Sequence, residues 1–75
     1  MITSRYRIVV EGELDDASAV LFEDVRIERV ERRTVLETDA VDQAALNGLL
    51  DRLRAIGAVL VRLDRLSNAG DVTQD

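Results

Sequence analysis

The chain has neither cysteine nor histidine. Without cysteine there is no disulfide to staple a small fold and no thiolate to hold a metal; without histidine there is no imidazole ligand. The Ser-His and Cys-His pairs of nucleophilic catalysis cannot be assembled. Lysine is missing too, so Ser4, Ser18 and Ser67 have no lysine to activate them, and all ten basic residues are arginine. The arginines are scattered along the chain, which points to genome composition rather than to an anion-binding patch. Tyr6 and Phe22 are the only aromatics, and both are assigned to the core. The stacked aromatics on basic strands that mark RNA-binding domains are absent.

Fifteen acidic residues against ten basic give a net charge of −5, the wrong sign for general affinity to a phosphate backbone, so no nucleic-acid partner is expected. GxGxxG and P-loop patterns are lacking. The longest apolar runs, such as Ala58–Val61, are four residues, against roughly 18 for a membrane span, so no membrane partner is expected. MITSRYRIVV turns polar and basic at once, without the apolar segment of a signal peptide, and the expected location is cytoplasmic.

Seventy-five residues make one domain, expected over 1–66, with a disordered polar tail at 67–75. A chain of this size buries only roughly 60% of the surface it exposes when unfolded, so oligomerisation is a natural source of further stability. RYRIVVE (5–11) alternates Tyr6, Ile8 and Val10 against Arg5, Arg7, Val9 and Glu11, the period of a half-buried strand. Asp15 or Asp16 caps a short helix in which Leu14, Ser18, Leu21 and Phe22 share a face. VRIERV (25–30) and TVLET (34–38) read as two further strands joined by a turn at Glu31-Arg32-Arg33.

Asp39 or Asp42 caps a long helix in which Leu46, Leu49, Leu50, Leu53 and Ile56 form one apolar stripe. Gly57 ends that helix in the left-handed conformation, and residues 59–66 supply a fourth strand with Val59, Val61 and Leu63 on one face. Gly48 sits at the flank of the stripe. A glycine there costs about 1 kcal/mol relative to alanine, so the expected reason is close backbone approach of the helix to the sheet or to another chain. The order strand, short helix, strand, strand, helix, strand is that of a two-layer α+β domain with the ferredoxin-like split βαβ arrangement. The alternative is a βββαβ meander with one long helix, should the first connection be too short for a helix.

VDQAALNGLLDRLRAIGAVLVRLDRL (41–66) resembles a pattern of small uncharacterised proteins of actinobacteria and other bacteria, approximately DQAALHGLL followed, after two or three variable positions, by IRDLGLPLLSV. Asn47 stands where that pattern has histidine, and Ala58-Val59 where it has leucine-proline. The resemblance implies a compact α+β domain and transfers no catalytic residue.

The densest polar stretch is EGELDD, with Glu11, Glu13, Asp15 and Asp16. Oxygen ligands of this kind suit calcium or magnesium, but the twelve-residue EF-hand spacing is lacking, and a solvated loop with a helix cap accounts for all four. No metal or cofactor is expected. Carboxylate chemistry at these four residues is the only enzymatic route the composition leaves open, while Glu37 and Asp39 merely flank the helix start. If Ile8, Val10, Val59, Val61 and Leu63 meet the helix, then Val9 and Leu60, with Leu36 and Val30, emerge on the other side of the sheet among Arg7, Glu11, Glu28, Arg62 and Asp64. A few apolar side chains ringed by charge fit an interface. The expected function is therefore a non-enzymatic interaction module, forming a homodimer or docking on a partner protein through Arg7, Val9, Leu36, Leu60 and Arg62 or through a sheet edge. The alternative is a regulatory domain that binds a small molecule at a subunit interface through backbone groups near Gly12 or Gly57.

Overall fold

A computed structural model describes residues 2–12, 14–22 and 24–68. The elements are β1 (Ser4–Glu11), α1 (Asp16–Ala19) continued by a 3-10 turn (Val20–Phe22), β2 (Val25–Val30), β3 (Arg33–Thr38), α2 (Gln43–Ala55) and β4 (Leu60–Asn68). The four strands form one sheet in the order β2-β3-β1-β4, and every neighbouring pair is antiparallel. The protein is thus a small α+β domain. A meander of the first three strands does not form, because β1 sits between β3 and β4 and leaves β2 at the edge. The first helix does form, split into two short pieces. β4 continues through Asn68, two residues into the segment expected to be a tail; 69–75 lie outside the described residues.

The core is Ile8, Val10, Leu14, Phe22, Leu36, Leu46, Leu49 and Leu53. Ile8, Val10 and Leu36 come from the two central strands, and the leucines of α2 lie over them at steps of three and four, the spacing of one helical face. Leu50 and Ile56 pack partly buried against the same cluster. Asp42 caps α2 by accepting the Ala45 N–H at 2.8 Å, and Asp15 does the same for α1 with the Ser18 N–H at 2.7 Å. At the other end of α2, Gly57 has φ +82°. Its N–H reaches the Arg54 carbonyl while the Ala58 N–H reaches that of Leu53, the paired bonds of a Schellman motif.

Two features reset which side chains face the helix. The β2–β3 turn has two residues: Val30 pairs with Arg33, and Glu31 and Arg32 both take positive φ, 50° and 69°, as a type I′ turn requires. A turn one residue longer would have reversed the faces of β3, since a one-residue slip turns every side chain over. Leu36 is therefore fully buried beneath α2, a correction to its place on the open face. Thr34 and Thr38 share that inward side and are buried with it.

The second feature is a pair of irregularities in β4. Val10 pairs with Leu60 but Val9 with Arg62, and Tyr6 pairs with Arg65 but Arg5 with Ser67. Val61 and Leu66 are thus extra residues opposite β1, as in β-bulges. The first bulge puts Leu60 and Leu63, three residues apart, on the helix side opposite Val10 and Ile8. Leu60 therefore does not emerge on the open face as strict alternation predicts. Val59, Val61 and Leu63 do not form a buried face either, because all three stay exposed.

Gly48 also departs from expectation. Among the described residues a Cβ built on it would meet nothing within 4 Å, so no close approach among them requires glycine there. Gly48→Ala is expected to raise stability by about 0.5–1 kcal/mol, the difference in helix propensity, as read from the urea midpoint. A loss of stability would show that the position is occupied by something beyond the described residues.

Candidate functional site

The sheet has one face under α2 and one open. Register places Arg7, Val9, Val35, Glu37, Arg62 and Asp64 together on the open face, with Glu28 beside them. Along one row Arg26, Glu37, Arg7 and Asp64 stand opposite one another on β2, β3, β1 and β4, so the sign of charge alternates across the whole sheet. Arg7 donates to Glu37 at 2.9 Å, Arg26 lies 3.8 Å from the same carboxylate, and Arg62 pairs with Asp64 at 2.8 Å. Val9 and Val35 face each other and are half-buried. Of the residues expected here, Arg7, Val9 and Arg62 are brought together, while Leu36 and Leu60 lie on the other side. Val35 and Glu37 were missed; the signal for them is the two-residue turn, which sets the parity of β3. This face is mainly a network of ion pairs, each worth little in water, around the single half-buried pair Val9 and Val35.

The acidic stretch does not converge. Glu11 lies 3.7 Å from Arg33, Asp15 caps α1, and Asp16 sits 3.3 Å from Arg29; Glu13 is outside the described residues. The Ser18 amide, then its hydroxyl, hold the Asp15 carboxyl below the ordinary aspartate range; desolvation opposes this and Arg29 adds to it. Among the described residues no three acidic side chains are grouped to hold a metal ion. The backbone near the two loop glycines is spoken for as well. The Gly12 N–H donates to the Arg32 carbonyl at 2.7 Å and the Gly12 carbonyl accepts from the Thr34 hydroxyl at 2.8 Å. The Gly57 N–H belongs to the helix cap.

Apolar surface is concentrated elsewhere. Val59, Leu60, Val61, Leu63 and Leu66 are all exposed, along the last strand of the sheet and the residue before it. On its helix side Leu60 borders a groove of about 310 Å³ formed with Val10, Leu50, Leu53, Arg54 and Ala58. The groove exists because α2 lies over the central strands and leaves β4 uncovered. Scattered exposed apolar side chains are ordinary; here they are concentrated along one edge strand beside an open groove. Among the described residues no strand pairs with the outer edge of β4, and no helix is long and apolar enough to cross a membrane.

The family described as Domain of unknown function (DUF8691) matches residues 5–64, and the chain belongs to it. Among curated proteins none matches the chain, and none does among solved structures.

Proposed function

We propose that this domain is a non-enzymatic interaction module of the bacterial cytoplasm that forms a homodimer through the β4 side of its sheet. The observation that carries the reading is the row of large apolar side chains left exposed from Val59 to Leu66, with Leu60 half-exposed (50%) and Leu63 at 38%. Burying a leucine yields roughly 1.5–3 kcal/mol, so a chain of this size gains substantially by covering that row. The interface meant here is the edge and its groove, not the ion-paired open face. The strand order β2-β3-β1-β4, with helices before β2 and before β4, supports a ferredoxin-like split βαβ domain.

Leu63→Asp and Leu60→Asp are each expected to weaken the dimer at least about thirtyfold, the equivalent of a ~2 kcal/mol hot spot. Sedimentation equilibrium reads the association, and far-UV circular dichroism confirms that the fold persists. Unchanged association in both variants, or a wild-type chain that stays monomeric at high concentration, would refute the reading.

A further inference from the structure

The main-chain groups of β4 identify the partner strand. In an antiparallel pair, facing residues turn their N–H and C=O either towards each other or both away, alternately. The Glu11 N–H bonds the Val59 carbonyl on the β4 side, whereas the Ser4 N–H bonds Val41 and the Tyr6 N–H bonds Thr38 on the β3 side. Odd positions of β1 therefore face β4, and even positions face β3. The residues of β4 opposite the even positions turn their main-chain groups outward. They are Leu60 opposite Val10, Leu63 opposite Ile8, Arg65 opposite Tyr6 and Asn68 opposite Ser4.

An ordinary strand offers such groups at every second residue. Here the two bulges space them three, two and three residues apart, so this edge is a poor template for an ordinary strand. The pattern is symmetric about Asp64: Leu60 mirrors Asn68 and Leu63 mirrors Arg65. We propose that β4 pairs antiparallel with β4 of a second copy of the chain, with the two-fold axis at Asp64, so that the two sheets continue into one. This rests on the self-association reading above and adds the partner strand and its register. Leu60 then exchanges main-chain bonds with Asn68 of the other copy and Leu63 with Arg65, each pair repeated by symmetry, and the bulges of one strand lie opposite those of the other.

A competing axis at Leu63 sets Arg62 against Asp64 of the other copy, an attractive contact of opposite charges. It aligns Arg65 with Val61 and Leu60 with Leu66, however, and both of those are bulge residues, so only Leu63 exchanges bonds with its own copy. Main-chain pairing therefore favours the axis at Asp64. The two Asp64 carboxylates that meet there are each held by Arg62 at 2.8 Å and faced by Arg7 on β1, so guanidinium groups from both copies surround them. On the helix side Leu63 and its copy lie diagonally across the axis, about 7–8 Å apart, within the range of cross-strand contact.

Because the chain has no cysteine, single-cysteine variants test the register directly. Leu63→Cys, Asp64→Cys, Arg65→Cys and, on the opposite edge, Val30→Cys are oxidised mildly at a concentration where sedimentation shows dimer. Asp64→Cys is expected to cross-link fastest, since residues facing each other at a non-hydrogen-bonded site have Cα atoms about 4.5 Å apart, within disulfide reach. Fastest cross-linking at Leu63 or Val30, or a dimer with no β4 cross-link, overturns the Asp64 register while self-association stands. A wild-type chain that is monomeric throughout removes both. Should Asp64→Cys fail to fold, amide exchange on the wild type decides: the Leu63 and Arg65 N–H groups are expected to slow as concentration rises, and concentration-independent exchange in a proven dimer overturns the pairing.

Discussion

Replacing Phe22 by alanine is expected to cost about 3–5 kcal/mol, the usual loss for a buried aromatic ring, and to leave the chain largely unfolded. Phe22 is among the largest fully buried side chains and belongs to the same cluster as Leu36, Leu46, Leu49 and Leu53. It is contributed by a single 3-10 turn, and with Leu14 it anchors the first connection to the core. Arg52 of α2 closes over it, with its guanidinium 5.9 Å from the ring centroid and Nη1 donating to the Leu21 carbonyl at 2.9 Å. Total stability at ~0.05–0.15 kcal/mol per residue amounts to about 4–11 kcal/mol for a chain of this length, so the loss is comparable with the whole. Urea denaturation of Phe22→Ala beside Phe22→Leu measures it. A shift below about 1 kcal/mol in the alanine variant would show that the connection does not depend on the ring.

Thr34→Val is the second large effect, and it separates hydrogen bonding from packing because valine keeps the shape. Thr34 is wholly buried; its Oγ1 accepts the Leu14 N–H at 2.9 Å and its hydroxyl donates to the Gly12 carbonyl at 2.8 Å. One side chain thus satisfies the main chain on both sides of the turn that leaves β1. Valine leaves the buried Leu14 N–H without a partner, at an expected cost of about 1–3 kcal/mol. Thr34→Ser, which keeps the hydroxyl, is expected to lose less, and equal losses in the two variants would assign the effect to the methyl group instead. Calorimetric or urea unfolding reads the comparison.

Thr34 also shows where a linear reading runs out. A threonine on a strand reads as a polar position of the solvent face, and nothing next to it in the chain reveals that residues twenty or more positions earlier need its hydroxyl. Gly48 fails differently: its place at the edge of a leucine stripe argued for tight packing, yet among the described residues the space beside it is open. In both cases the missing information is what lies across from the residue.

The sequence by itself determined which elements form and, to within a few residues, where they begin and end, although β4 runs on through Asn68. Alternation produced β1 and β2, the three-and-four spacing of Leu46, Leu49 and Leu53 produced α2, and Asp15, Asp42 and Gly57 capped the helices as their side chains and conformational freedom require. These are local properties, settled by interactions within a few residues. Which side of the sheet Leu36 and Leu60 occupy was decided only by tertiary structure. A turn of two residues rather than three turned β3 over, and a bulge at Val61 turned part of β4. With a period of two, the face of a residue depends on counting from its cross-strand partner, and that count is made by pairing, not by composition.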